Sequence, residues 1–357
     1  MEHAVPLASR VLIPFIQGLS LLVFTLFLGL LIQRFIRETR AAWQRKRAQA
    51  LLPLILGYAD GDREFDDVEN AIGSRDRVVL KQLLLDLIIE VKGEFRARLA
   101  HLFLDFGFVL EEIKRLRSKQ PWIREDAASN LGLMNSKRAI VPLRTLLSDP
   151  SDEVRLNAAR SLGALGDAEA LPYVLESLGA SSRWIITSIE EIVLSIGEKA
   201  NLYLLDYIKA NDQVDVQVLQ MVLELLGFLR VREATEEIAH YLTSDELELR
   251  IAAAKALGDL ADPETGEALL PLLRDHCWEV RAQAAKAFAH LQMDSAIPPL
   301  SECLRDRNWW VRFNAAHTLR VSGNDGVDAL ERALKGKDPF ARDIAREALE
   351  SKQSGQI

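Results

Sequence analysis

The chain has 357 residues, a formal net charge of −8 and two cysteines. The first 50 residues carry seven Lys/Arg and two Asp/Glu, a net of +5, so the remaining 307 residues carry −13. An acidic body repels phosphates, which excludes a nucleic-acid-binding protein, and two cysteines are too few for a disulfide framework.

The first predicted element is a transmembrane helix at residues 11–33. From Val11 to Ile32 there are 22 residues without a charge, and a helix of that length reaches roughly 33 Å, enough to cross the apolar core of a bilayer. A cleaved signal peptide has positive charge before a shorter apolar region. Here the external tail, residues 1–10, carries only Glu2 and Arg10. The pattern therefore predicts an uncleaved membrane anchor.

Basic residues after the span predict its orientation. They are Arg34, Arg37, Arg40, Arg45, Lys46 and Arg47. Lys and Arg near a span are retained in the cytoplasm, so we expect a single-pass protein of the bacterial inner (plasma) membrane, with its N-terminus outside and the rest cytoplasmic. Residues 34–60 are predicted to be a basic juxtamembrane helix. Its charges either lie along anionic headgroups or serve only to fix the orientation.

The rest of the chain is a tandem array. An apolar residue followed by arginine recurs, often in steps of 31 residues: Ile123-Arg124, Val154-Arg155, Leu249-Arg250, Val280-Arg281 and Val311-Arg312. A period of that length is typical of a repeated helix hairpin. After Arg155, apolar residues follow at helical spacing as far as Gly166, which suits a left-handed cap. A second helix is predicted from Asp167 to Leu178.

These repeats resemble the HEAT repeat family, in the short bacterial form also called phycobilisome-lyase-like. Its frame, D-x-x-x-x-V-R-x-x-A-A-x-A-L-G-x-L-G, is matched by Asp149 to Gly166, Asp275 to Leu291 and Asp306 to Gly323. The resemblance implies an all-α fold, a right-handed α-solenoid of HEAT helix hairpins at residues 119–357, preceded by one transmembrane helix and by divergent helical repeats at 61–118. It also implies that six frame residues are structural: Asp149, Arg155, Asp275, Arg281, Asp306 and Arg312.

Sequence motifs for catalysis are lacking. The six histidines have no metal-ligand spacing, neither cysteine has a second cysteine nearby, and there is no Walker loop, nucleophile elbow or dinucleotide fingerprint. HEAT-type metal hydroxylases carry repeated His-Glu pairs, and this sequence has no His-Glu dipeptide. We therefore expect no catalytic residue, no metal, no cofactor and no small-molecule substrate. The resemblance leaves one alternative, a bilin-lyase-like enzyme or pigment-handling chaperone.

Tyrosines in the central repeats predict where a protein partner binds. Two of these repeats have Ile186 and Leu219 in place of the arginine. On a helical wheel Tyr173, Tyr203 and Tyr207 lie opposite the side that is expected to be buried. In the helix that contains Tyr203 and Tyr207, the residues expected to be buried are Leu202, Leu205 and Ile208. Tyrosine interleaved with charged residues is the composition of an interface. The predicted partner-binding residues are Tyr173, Glu176, Tyr203, Asp206, Tyr207, Glu237, His240 and Tyr241.

Aromatic residues just before the arginine offer a second surface. Four stand two residues before it, and either pack between helices or form an exposed edge: Trp122, Trp184, Trp310 and Phe340. Trp278 and Trp309 stand three residues before it and are expected to pack between repeats.

Fold and anchor together predict a membrane-anchored scaffold or regulatory adaptor that is not an enzyme. Helix arrays present long faces that bind proteins, and a membrane-embedded partner gives the best reason for an anchor. By analogy alone, we expect a cell-envelope complex such as a polysaccharide-synthesising glycosyltransferase.

Overall fold

The computed structural model describes residues 7–178, 183–210 and 215–350, with the backbone alone at 7–14, 16–17, 183–186, 210 and 263. Every regular element within these ranges is helical. The α-helices are α1 (Leu7–Asp60), α2 (Phe65–Ala71), α3 (Arg77–Glu90), α4 (Gly93–Asp105), α5 (Phe108–Arg115), α6 (Pro121–Leu133), α7 (Ile140–Thr145), α8 (Asp152–Ala164), α9 (Leu171–Leu178), α10 (Arg183–Ile196), α11 (Lys199–Ala210), α12 (Val216–Phe228), α13 (Thr235–His240), α14 (Leu247–Leu260), α15 (Gly266–Leu269), α16 (Trp278–Leu291), α17 (Ile297–Cys303), α18 (Trp309–Val321), α19 (Gly323–Leu334) and α20 (Pro339–Glu350).

Short 3-10 helices flank several of the second helices. They are Lys137–Ala139, Leu146–Ser148, Ala168–Ala170, Arg232–Ala234, Tyr241–Thr243, Pro263–Thr265, Leu270–Arg274 and Asp294–Ala296. Backbone contacts divide the chain into two compact units, Met1–Glu111 and Glu112–Ile357, which we call unit 1 and unit 2.

In unit 1, α1 is one helix of 54 residues. Among the described residues it holds a stretch long and apolar enough to cross a membrane, with a mean hydropathy of 2.1 and none of its apolar window buried. The C-terminal end of the same helix belongs to the protein core, because Leu51, Ile55 and Ala59 are buried and α1 packs on α3 and α4.

One of the basic residues of α1 is structural. Arg47 donates from Nε and Nη2 to the two carboxylate oxygens of Asp76, at 2.8 Å each, and from Nη2 to the carbonyl of Ala71 at 3.1 Å. The hydrogen bond from Arg47 holds the pKa of Asp76 below its usual value. The sequence left two roles for this stretch, headgroup binding or orientation, and for Arg47 the structure shows a third.

Unit 2 is an α-solenoid of helix pairs, which confirms the predicted fold. Its first helices are α6, α8, α10, α12, α14, α16, α18 and α20, and its second helices are α7, α9, α11, α13, α15, α17 and α19. Most first helices pack along the next one in the chain, and most second helices pack against the first helix of the following hairpin. No single hairpin can bury both its apolar faces, so the core is continuous through the stack.

A left-handed residue ends most of the first helices. Gly166 has φ +71°, as the sequence predicted, and the same conformation recurs at Asn135, Gly197, Arg230, Ala261, Gln292 and Gly323. Most of these positions are 31 residues apart, so the cap follows the repeat. Residues other than glycine accept the left-handed conformation at some strain, which explains why a glycine pattern alone misses four of the caps.

Close helix packing depends on small residues at one position of the frame. A Cβ added to Gly227 would lie 2.5 Å from the Cα of Ala256, and one added to Gly258 would lie 2.8 Å from the Cβ of Ala287. These contacts bring α12 to α14 and α14 to α16. In α10 the equivalent position is Leu194, which is 55% exposed.

Candidate partner-binding surface

The frame arginines join successive repeats. Arg281 donates from Nε and Nη2 to the carboxylate of Asp306, at 2.7 and 3.0 Å, and from Nη1 to the carbonyl of Asp275 at 2.8 Å. Arg124 and Arg250 bind the carboxylates of Asp149 and Asp275 in the same way. We call Arg124, Arg250 and Arg281, with their carboxylate partners, the arginine ladder.

The other two frame arginines are structural as well. Arg155 donates to the carbonyls of Asp149 and Ser177, at 3.0 and 3.1 Å. Arg312 donates to the carbonyl of Asp306 at 2.8 Å, and its guanidinium lies 4.8 Å from the ring centre of Phe340. All six frame residues therefore hold the fold together, as the resemblance implied.

Electrostatics at the ladder favour charged carboxylates. Burial raises the pKa of Asp306, but hydrogen bonds from Arg281 and from the Asn308 N–H outweigh it, so the pKa lies below its usual value. Asp149 behaves in the same way beside Arg124. The ladder is interrupted in the central repeats, where Leu219 is buried in place of an arginine and the side chain of Ile186 lies outside the described residues.

A groove between the second helices α7 and α9 contains two of the predicted binding residues. Val141, which is 71% exposed, and Tyr173, which is 60% exposed, line it together with Arg144, Glu176 and Ser177. We call this surface the tyrosine groove. The guanidinium of Arg144 donates hydrogen bonds to Asp167 and Glu169, so charged side chains lie beside the apolar surface of the groove.

The predicted wheel for α11 is wrong. Tyr207 is only 6% exposed, whereas Leu202, expected in the core, is 66% exposed. The buried residues are Ala200, Leu204, Leu205, Tyr207 and Ile208. This face follows the i, i+4, i+7, i+8 spacing of a core-facing helix, and the wheel was misplaced because it was centred on Leu202.

Burial changes what these tyrosines can do. Burial, followed by the charges of Glu176 and Asp215, raises the pKa of Tyr207, which is thus a core residue and not a contact for a partner. Tyr203 is half-buried and Asp206 is exposed. Leu202 replaces Tyr207 on the exposed surface of α11.

The remaining predicted residues lie around α13. His240 is exposed, and its ring meets that of Tyr241 edge to face, with centres 5.9 Å apart. The Tyr241 hydroxyl donates to the carbonyl of Ile208 at 3.3 Å, so this tyrosine joins neighbouring second helices. Glu237 is half-buried and lies 3.9 Å from the ammonium of Lys209. Only part of the predicted patch is therefore available to a partner.

The aromatic edge is exposed wherever its side chains are described. Trp122, Trp310 and Phe340 are exposed, and so are Trp278 and Trp309, which were expected to pack between repeats. Trp309 instead packs against its own helix, with ring centres 4.8 Å from Trp310 and 4.9 Å from Phe313. The side chain of Trp184 lies outside the described residues.

One cluster has metal-binding residue types. The ligand atoms of Asp275, His276 and Cys277 lie within 4.8 Å of one another. The guanidinium of Arg250 occupies the same place, with Nη2 3.4 Å from His276 Nε2 and 3.7 Å from Cys277 Sγ, and its positive charge opposes a cation there. The other cysteine, Cys303, is buried, which raises the pKa of its thiol to about 12 and keeps it protonated.

Comparison with known proteins gives a match to HEAT repeats over residues 111–195, 204–276 and 266–350. The alpha subunit of phycocyanobilin lyase from Picosynechococcus sp. is 30% identical over 138 residues, which are 39% of this chain and 44% of that protein. The chain thus spans less than half the length of the curated relative it matches.

Two solved structures are similar in arrangement. The complex of CpcE and CpcF of phycocyanin lyase from Nostoc sp. PCC7120 is 21% identical with a TM-score of 0.31, covering 67% of this chain and 92% of that chain. Importin beta is 15% identical with a TM-score of 0.47, and the match covers 87% of this chain and 52% of that chain. At these values neither structure informs the chemistry of this chain.

Proposed function

Because the chain belongs to the HEAT repeat family, whose stacked hairpins present long protein-binding faces, we propose that it is a non-catalytic scaffold or regulatory adaptor that holds a protein partner at a membrane. The observation that carries the proposal is the tyrosine groove. It places Val141 and Tyr173, both well exposed, beside the charged Arg144 and Glu176. Apolar anchors with a polar rim are the usual anatomy of an interface.

The proposed binding surface continues from the tyrosine groove along the second helices to Leu202. Val141 belongs to α7, Tyr173 to α9 and Leu202 to α11, and α9 packs on α11. A soluble protein rarely leaves large apolar side chains together on its surface without a use for them. Buried arginines and carboxylates elsewhere in unit 2 are already paired within the fold, so this surface is a better candidate for function than the ladder is.

The N-terminal part of α1 supports the membrane half of the proposal. Its exposed apolar stretch is long enough to span a bilayer, and basic residues follow that stretch, which favours a cytoplasmic unit 2 at the bacterial inner membrane. A membrane-embedded complex of the cell envelope, such as a polysaccharide-synthesising glycosyltransferase, is the partner class that we propose.

The test is copurification from solubilised membranes. We expect Val141→Glu, Tyr173→Glu and Leu202→Glu together to abolish recovery of the partner, since interface anchors can each contribute about 2 kcal/mol or more. Exposed substitutions shift stability by no more than about 0.5 kcal/mol each, so the melting temperature should stay nearly unchanged. The control variant carries two such substitutions, Trp122→Glu and Trp310→Glu, on the aromatic edge, and should retain the partner. The reverse result would move the binding surface to that edge.

A second candidate function follows from the lyase relative. The matched segment is 30% identical to a phycocyanobilin lyase subunit, which favours a lyase or a pigment-handling chaperone as the alternative. The two functions differ in whether the protein carries a chromophore. Purification from a pigment-producing host should give a colourless protein under our proposal, and stoichiometric visible absorbance would support the alternative.

A further inference from the structure

A groove opens where the row of first helices is interrupted. Neighbouring first helices pack along each other from α6 to α10 and again from α12 to α18, but α10 and α12 do not pack so closely, as far as the described residues show. The glycine that permits close approach at Gly227 and Gly258 is replaced in α10 by Leu194, and the facing position in α12 is Leu225. Two leucines cannot approach as glycine and alanine do.

The opening has a volume of about 340 Å³, within the range of pockets that bury ligands. Met221 and Leu225 on α12 are buried and line it, and Phe228, which is 61% exposed, stands at its side. Met221 and Leu225 thus form the floor of the opening, and Phe228 is its exposed apolar side chain. We call this opening the α10/α12 groove.

The charge of the α10/α12 groove is negative. Glu190 on α10 and Glu224 and Asp259 on the other side line it. Lys255 pairs with Glu224, whereas Glu190 and Asp259 form no ion pair with any residue that the structure describes. Carboxylates beside an apolar surface attract an occupant that is cationic and apolar, and they repel phosphates, lipid headgroups and other carboxylates.

We propose that the α10/α12 groove binds a basic amphipathic segment of the protein partner, with an apolar side chain on Phe228, above the floor formed by Met221 and Leu225, and Lys or Arg on Glu190 and Asp259. This inference rests on the proposed function, because it gives the chemistry of the partner. It adds a second contact surface on the first helices, separate from the tyrosine groove on the second helices.

The experiment measures binding of a synthetic probe to the full chain in nonionic detergent. The probe is a fluorescein-labelled amphipathic peptide of Leu, Lys and Ala, about 14 residues long, the length of an ordinary helix. A control peptide has Glu in place of every Lys. Fluorescence anisotropy should show binding of the Lys peptide and not of the Glu peptide. No binding of the Lys peptide would overturn the proposal.

Two variants of the groove carry the test. We expect the double variant Glu190→Lys, Asp259→Lys to bind the Lys peptide at least about tenfold more weakly. Each substitution replaces an attraction for the lysines of the peptide by a repulsion. Phe228→Ser should weaken binding by about tenfold through lost apolar contact. The control, Asp328→Lys with Glu331→Lys on α19, makes the same change in net charge away from the groove and should change affinity by no more than about twofold.

Equal weakening by both double variants would mean that the peptide responds only to net charge, which overturns the proposal. Circular dichroism and melting temperature establish that each variant is folded. The two proposals fail separately. If no membrane protein copurifies with the chain, the proposed function is contradicted. If the Lys peptide binds the groove variants and the control variant equally, only the proposal for the α10/α12 groove is contradicted.

Discussion

At the residue scale, each arginine of the ladder serves two acceptors at once. One nitrogen binds a carbonyl six residues earlier, and the guanidinium fork binds a carboxylate 25 residues later. The first contact closes the turn before its own helix, and the second fastens the next repeat. Removing the side chain of Arg281 therefore leaves the Asp306 carboxylate with the Asn308 N–H but without the guanidinium, and takes from the Asp275 carbonyl the donor that Arg281 supplies.

We expect Arg281→Ala to lower the free energy of unfolding by about 1–3 kcal/mol, the cost of unpaired buried polar groups. Lys286→Ala on the same helix should have little effect, because Lys286 is exposed. Urea denaturation of the two variants compares them directly. Equal losses would remove the ladder from the account of stability.

The ladder also predicts how stability depends on pH. The folded-state pKa of Asp306 is depressed, so its contribution is complete above the unfolded-state pKa of about 3.9 and is lost as the pH falls through the lower folded value. In Asp306→Asn this titration is absent, and the free energy of unfolding should fall less steeply below about pH 4. Asp325→Asn, at an exposed position, is the control. Identical slopes for wild type and Asp306→Asn would refute the prediction.

The resemblance to the HEAT repeat family implied a structural role for Asp306 and Arg281, because both match its frame. It did not give the orientation of every tyrosine. Tyr207 was not recognisable as a core residue, because a tyrosine packs in a core as readily as leucine does, and the leucines of α11 lie on more than one side. Val141 and Leu202 were missed because nothing in an apolar side chain marks it as exposed.

At the scale of the helix, close packing at several interfaces depends on one glycine of the frame. The interface of α12 with α14 admits no Cβ at Gly227, since it would meet the backbone of Ala256. The interface of α8 with α10 is less tight, because a Cβ at Gly163 would lie 3.1 Å from Cγ2 of Ile192 and 3.2 and 3.3 Å from its backbone O and Cα, which a shift of a few tenths of an ångström relieves.

Gly227→Ala should therefore destabilise the protein by about 1–3 kcal/mol through overpacking. The same change at Gly163 should be close to neutral, because a helix gains about 1 kcal/mol from replacing glycine by alanine. Thermal melting of both variants measures the difference. A stabilised Gly227→Ala would show that α12 and α14 can separate at little cost.

Helix boundaries in the repeats were readable from the sequence, since the frame places the first helix, its cap and the second helix in a fixed order. The packing of α1 was not. Its basic residues predicted a segment beside the membrane, whereas Leu51 and Ile55 are core residues. An amphipathic stretch next to a span has the same composition whether its apolar face meets lipid or protein.

At the scale of the whole molecule, the topology across a membrane is the expectation most exposed to experiment. A reporter active only in the cytoplasm should be active when fused after Ile357 and silent at Met1. Neutralising Arg34, Arg37, Arg40, Arg45 and Lys46 should mix the two orientations. Arg47 is kept in this variant, because it pairs with Asp76 and its loss would disturb the fold. An active reporter at Met1 with a silent one at the other end would reverse the orientation.

The fold of unit 2 was predictable because several copies of one frame specify a stack. The partner was not, because a binding face is defined by what the stack leaves uncovered, and this depends on helix orientation and spacing. The α10/α12 groove illustrates the point. Leu194 stands where the frame has glycine, yet only the structure shows that α12 does not pack closely on α10.

The unbroken path of α1 has a consequence for helical phase. Because the apolar stretch and the buried Leu51 and Ile55 belong to one helix, the direction in which these core residues point is fixed relative to the side chains of the proposed membrane span. Inserting one residue between them turns the two ends by about 100° relative to each other, whereas seven residues nearly restore the original angle. Under the proposed topology, a partner in the bilayer that rotated the N-terminal part of α1 about its axis would therefore twist the core of unit 1.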